Sequence, residues 1–167
     1  MRTAHTKTIR GLNTGWIQAG TADALGPILF FLHGCPDDPE VWSHQIDYFS
    51  RTHLVVAPYA RGVGLSSAAR DQGRYGLEAF ALDHLEILRE VDPEAKRKVV
   101  VIGHDLGGPH AWHLAPLLKD RLAGLITING PALSQMARRL KDPAQLAKSW
   151  YIGFFQVPRL PEFLLNN

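Results

Sequence analysis

The chain has 167 residues, 46% of them apolar, a formal charge of +2 and a single cysteine. That is enough polypeptide for one domain with a sizeable core, and a charge so small and so scattered gives no reason to expect a nucleic-acid or membrane partner. One cysteine excludes an intrachain disulfide, no apolar run approaches the roughly 20 residues of a spanning helix, and "MRTAHTKTIRG" lacks the apolar segment of a secretory signal; the expectation is a cytoplasmic protein.

From the N-terminus, "TIRGLNTGWIQAG" alternates weakly and predicts a hairpin. "PILFFLHG" is a short continuous apolar run closed by a glycine, and "HLVVAPY", "KVVVIGHD" and "LAGLITING" repeat the design. Such runs predict strands buried on both faces, as in a parallel sheet. Helical patterns separate them. "DDPEVWSHQIDYF" opens with Asp38 as N-cap and Pro39 at the first helical position. "GLEAFALDHLEILREV" places Leu77, Phe80, Ala81, Leu85 and Leu88 at helical spacing, and "LGGPHAWHLAPLL" is a third helix. Strand alternating with helix predicts an α/β domain. After Gly130 the strand-like runs stop, and helices broken by proline and rich in aromatics take over. The division is therefore 1–130 for the core and 131–167 for a second, helical part. The chain closes on "FLLNN", amid apolar residues, and is expected to be a piece of a longer protein.

Two motifs carry chemistry. "GHDLGG" fits G-x-nucleophile-x-G, a strained turn from strand to helix that lifts one side chain clear of the sheet; serine is usual there, and this chain has Asp105. A carboxylate, with a reference pKa of about 3.9, is already ionised at neutral pH. It can attack a saturated carbon and form an enzyme ester, which water must then hydrolyse with the help of a base. Alone, the pattern serves equally for an aspartate that caps the next helix. The second motif, "FFLHGCP", follows the first apolar run in the His-Gly-x-Pro form, where the loop after the strand donates one amide to an oxyanion hole. The amides of Cys35 and Leu106 would be the two donors, and Cys35–Pro36 is a candidate cis bond. The two motifs together, in order and each at a strand end, favour the nucleophile.

These residues resemble the α/β-hydrolase superfamily, in its epoxide hydrolase and haloalkane dehalogenase branch. "HGCPDDPEVW" looks like the oxyanion loop, and "APYARGVGLSS" is similar to the D-x-R-G-x-G-x-S turn with Tyr59 in place of aspartate. "VVVIGHDLGG" looks like the aspartate elbow, and "SWYIGFFQVPRLPEFLL" resembles the start of a helical cap. The resemblance implies an α/β-hydrolase fold, a mostly parallel sheet with flanking helices, with the C-terminal part of the fold missing. Haloalkane dehalogenases usually carry Trp after the nucleophile, and fluoroacetate dehalogenases Arg; Leu106 here holds no halide, which favours epoxide opening. Cap tyrosines of the family donate to the epoxide oxygen; one usual position holds Phe154 here, and Tyr151 lies nearby. The family's base and its acid partner follow the cap, beyond these residues.

None of the eight histidines is expected to replace that base. His33 reads as a hydrogen-bonding scaffold, His104 as pointing away from Asp105 across the turn, and His110 and His113 as packing or meeting solvent. Pro36, Trp150, Tyr151 and Phe154 are candidate substrate contacts; with Phe155, the three cap aromatics read equally as cap core. Trp42 and Trp112 are expected in the core, and the Cys35 thiol as incidental. No metal site and no cofactor are expected. The function expected is opening of a small apolar epoxide or related electrophile through an ester on Asp105. The alternatives are dehalogenation of an organohalide, and a non-catalytic fragment that needs a homodimer partner or a complementing C-terminal chain to complete its sheet.

Overall fold

The computed structural model describes residues 1–21, 26–155, 157 and 160–165, with the backbone alone at 72, 162 and 165. The chain forms two compact units, Met1–Pro131 and Ala132–Asn167, against an expected division between Gly130 and Pro131.

In the first unit β1 (Arg2–Ile9) and β2 (Leu12–Ala19) make the expected antiparallel hairpin, with Ile9 opposite Leu12. Its turn needs two left-handed residues, Arg10 at φ +49° and Gly11 at φ +79°, which match the twist of the flanking strands. β2 pairs antiparallel with β4 (Val55–Pro58), while β3 (Ile28–Leu32) lies parallel to β4 and to β5 (Val99–His104). β6 (Leu122–Ile128) lies parallel to β5, so the sheet order is β1-β2-β4-β3-β5-β6.

The continuous apolar runs of β3, β4 and β5 divide residue by residue between two cores. Phe30, Val56 and Val101 face one side, where Ala81, Ile87 and Leu88 of α2 (Leu77–Val91) and Ala111, Leu114 and Leu118 of α3 (Gly107–Leu118) cover them. Leu29, Phe31, Val55, Ala57 and Ile102 face the other, under Trp42 and Ile46. This is why the strands show no polar alternation: period-two geometry sends successive side chains to opposite faces, and both are covered. The segment after Asp38 does not begin as an α-helix. Asp38 accepts from the Glu40 N–H at 2.8 Å and caps a 3-10 turn, Pro39–Trp42, before α1 (Ser43–Phe49) starts.

Two expectations fail here. Trp112 is 41% exposed, not core, because Ala111, Leu114, Ala115 and Leu118 define the inward stripe of α3 and Trp112 falls outside it. β6 has the composition of a strand buried on both faces, yet Ile126 is 51% exposed and Ile128 is exposed too. Among the described strands β6 pairs with β5 alone and is an edge.

The second unit contains α4 (Leu133–Arg139), α5 (Pro143–Lys148), α6 (Trp150–Phe154) and α7 (Leu160–Leu165), helical as expected. Asp142 caps α5 by accepting from Ala144 N–H at 2.9 Å, with Pro143 in the first turn. Trp150, Tyr151 and Phe155 are exposed, Trp150 at 67%, so the aromatic set is not a buried interior of this unit. Gln156, Pro158 and Arg159 of the expected cap segment, and Asn166 and Asn167 at its end, lie outside the described residues.

Candidate active site

The C-terminal ends of β3, β4 and β5 are neighbours, and the chemistry-bearing motifs sit there, where open α/β sheets form their ligand crevice. The turn after β5 is an elbow. Asp105 has φ +51°, a left-handed conformation that an ordinary residue holds only when its surroundings impose it. They do so at both ends of the residue: its N–H donates to the Ile128 carbonyl at 3.0 Å and its carbonyl accepts from Gly108 N–H at 2.9 Å. The strand and helix meet so closely that a Cβ on Gly103 would lie 2.2 Å from the Gly107 carbonyl oxygen, and one on Gly107 2.2 Å from the Leu32 carbonyl oxygen. Glycine is required there for space.

The Asp105 carboxylate does not cap α3. The N-cap position belongs to Leu106, which makes no side-chain cap bond, and Asp105 Oδ1 instead accepts from Cys35 N–H at 3.1 Å. The loop after β3 thus delivers a backbone donor to the elbow from 70 positions away. The Cys35–Pro36 bond is cis. Gly34 passes directly beneath Asp105: a Cβ there would lie 2.5 Å from Asp105 Cβ and 2.8 Å from its Oδ1. Gly34→Ala is therefore expected to push the loop off Asp105, slowing any reaction of the carboxylate by about a hundredfold while costing only about 1–3 kcal/mol of stability. Rates of covalent labelling at Asp105, read beside a thermal melt, check this.

Burial and nearby carboxylates shape the surroundings. His33 is 5% exposed, and burial lowers its pKa, with Gly34, Asp38 and Asp37 opposing. Burial raises the Cys35 thiol, and the charges of Asp105 and Asp37 raise it further, so the thiol is a poor nucleophile. Tyr59, at the end of β4, is also raised, by burial and then by Glu40 and Asp38. Its ring occupies the space where a Cβ on Gly64 would stand, 2.6 Å away. The turn that follows is fixed by Arg61, whose buried guanidinium donates to Asp83 of α2 at 2.6 and 2.8 Å and lies over the Phe80 ring.

Cys35, Pro36, Asp105 and Leu106 are thus brought to one end of the sheet, with the Leu106 side chain 53% exposed beside Asp105. Trp150, Tyr151 and Phe154 lie on α6 of the second unit, where the Trp150 and Phe154 rings are 5.9 Å apart. His104 Nδ1 is 3.8 Å from Asp37 Oδ2 and meets the Trp42 ring edge-on. That pairing, and the role of Gly34, escape sequence reading because each partner comes from a distant loop. Among the described residues no group of three or more His, Cys, Asp or Glu side chains is placed to hold a metal ion, and no helix is long and apolar enough to cross a membrane.

The alpha/beta hydrolase fold family matches residues 27–164. The chain belongs to that family. Its mixed, mostly parallel sheet and flanking helices are those of an α/β-hydrolase, as the motifs implied. This α/β-hydrolase chain is 38% identical to mouse "Epoxide hydrolase 4" over 157 residues, which are 93% of this chain and 42% of the mouse protein. It is 36% identical to the Bacillus subtilis "AB hydrolase superfamily protein YfhM" over 151 residues, 89% of this chain and 51% of that protein. Among solved structures, the Bacillus megaterium epoxide hydrolase in complex with an inhibitor superposes with a TM-score of 0.81 at 28% identity, covering 95% of this chain and 54% of that one. The chain thus spans about half or less of the proteins it resembles.

Proposed function

We propose that this α/β-hydrolase chain is the nucleophile-bearing part of an epoxide hydrolase. The observation that carries the reading is Asp105: a carboxylate at a left-handed elbow, bonded by the Cys35 amide rather than by the helix that follows. Its relatives named as epoxide hydrolases support the substrate class.

In this reading one Asp105 carboxylate oxygen attacks an epoxide carbon from behind the ring C–O bond. That bond breaks with its electron pair on the ring oxygen, which takes a proton from an acid; Tyr151 is the candidate donor in this chain. The product is an ester on Asp105. Its carbonyl oxygen takes the place of the carboxylate oxygen now facing Cys35, so the amides of Cys35 and Leu106 stabilise the charge that develops there when water attacks. Collapse of that intermediate releases the diol and restores the carboxylate. The base for the water step lies outside these residues. Pro36, Trp150, Tyr151 and Phe154 are the substrate contacts, and the substrate is small and apolar. The open edge of β6, with Ile126 and Ile128 exposed, supports a further segment or complementing chain that extends the sheet.

The test is covalent labelling. Incubation with styrene oxide should add one epoxide mass to the protein, on the peptide containing Asp105. Folded protein that stays unlabelled at Asp105 overturns the reading. A bromoalkane run in parallel distinguishes dehalogenation: alkylation with release of one bromide, faster than epoxide labelling, would transfer the assignment to organohalides.

A further inference from the structure

His33 follows β3 and is buried, and both ring nitrogens are engaged. Nδ1 lies 2.8 Å from the Gly34 carbonyl oxygen, and Nε2 lies 3.0 Å from the Ala60 backbone nitrogen just beyond β4. A carbonyl can only accept and a backbone amide can only donate. The two partners therefore dictate one protonation state: a neutral ring with its hydrogen on Nδ1, donating to Gly34, and a bare Nε2 accepting from Ala60.

The Gly34 carbonyl and the Cys35 N–H belong to a single planar peptide unit. The ring of His33 holds the oxygen end of that plane, and the nitrogen end donates to Asp105 Oδ1 at 3.1 Å. One peptide is clamped at both ends, and the bond to its oxygen polarises the N–H that faces the nucleophile. We propose that His33 is a positioning residue: its neutral Nδ1–H form aims the Cys35 amide at Asp105, and a second proton on the ring releases that aim. Protonation places an N–H at Nε2 against the N–H of Ala60, two donors facing one another, so the bond to Ala60 is lost and the Gly34–Cys35 plane loses that support.

The groups that face His33 set when this happens. Burial favours the neutral ring; Asp37 and Asp38 in the loop that follows favour the charged one. His84 on α2 and His110 on α3 interact with it from the helical side and disfavour further positive charge, and Arg61 faces His84 there. The ring is neutral at physiological pH and is converted on acidification.

Nitrogen NMR of the full chain, labelled at histidine, reads the tautomer directly and without any reaction. At neutral pH His33 should show a protonated Nδ1 and an unprotonated Nε2; the reverse pattern overturns the proposal. On acidification the Cys35 amide resonance should move with the midpoint of the His33 ring, and His33→Gln, which keeps an acceptor for Ala60 but cannot titrate, should abolish that step. A Cys35 step unchanged in His33→Gln also overturns it. The kinetic counterpart rests on Asp105 being the group that is alkylated: labelling should slow about tenfold as His33 protonates in the wild type and lack that limb in His33→Gln. If Asp105 labels in neither protein the mechanistic reading fails, while the tautomer and the amide step still decide the role of His33.

Discussion

Asp105→Asn is expected to abolish covalent labelling by an epoxide, reducing its rate roughly ten-thousandfold or more. The amide has nearly the shape of the carboxylate, and its oxygen can still accept from Cys35 N–H, so the elbow should stay folded and the melting temperature should change little. What disappears is the charged oxygen that displaces the ring C–O bond; an amide oxygen is a far weaker nucleophile. Intact mass followed by peptide mapping is the measurement. Labelling of the variant at the wild-type rate would place the nucleophile elsewhere. Loss of labelling together with loss of the thermal transition would show a structural role for the carboxylate instead.

The second large effect is on stability in acid. His110 of α3 stacks on Phe80 of α2 with ring centroids 4.3 Å apart, and burial lowers its pKa from 6.5 to about 4, helped by the nearby His33 and His113. His84, packed against Phe30 and fully enclosed with Nδ1 unbonded, is lowered in the same direction by burial and then by His110, His33 and Arg61. Both rings fold neutral. Below the unfolded value of 6.5 the unfolded chain takes up protons that the folded chain refuses, so stability present above that pH is lost as the pH falls towards about 4. For His110 alone the loss is about 2 kcal/mol by about pH 5 and about 3 kcal/mol by pH 4, a large fraction of the stability of a small domain. Urea midpoints measured from about pH 7 to about pH 5, above most carboxylate titrations, should fall steeply. His110→Phe should flatten part of that slope. A flat wild-type profile across the window would mean that these rings are hydrated.

The acid sensitivity was not legible in the sequence, and the reason separates what was from what was not. β3, β4 and β5 announce themselves because burial on both faces makes each a short, almost wholly apolar run, with His104 alone at the end of β5. The elbow announces itself because its glycines are dictated by backbone contacts within a few residues, at Gly103 and Gly107. The hairpin is local too. Residues whose meaning depends on a remote partner stay silent. His84 and His110 look like polar positions on helix faces, and only the packing of α2 on α3 encloses them. His33 reads as a scaffold from its motif, but its tautomer depends on Ala60, 27 residues away. β6 reads as a strand covered on both faces for a related reason: composition records how apolar a strand is, not how many neighbours it has. Trp112 is apolar enough for a core, but its helical phase puts it outside the buried stripe of α3.

The amide hydrogen of Asp105 is held by the carbonyl of Ile128, the last residue of β6, and among the described strands β6 pairs with β5 alone. Asp105 is therefore tied to the strand of the parallel stretch most able to fray. By thermodynamic linkage, any polypeptide that adds to that edge and suppresses fraying also narrows the range of positions open to the carboxylate, and an adduct that locks the carboxylate in place must in return tighten the grip of β6 on its new neighbour. If Asp105 is the residue that reacts, occupation of the β6 edge and alkylation of the carboxylate are coupled through the Asp105–Ile128 hydrogen bond.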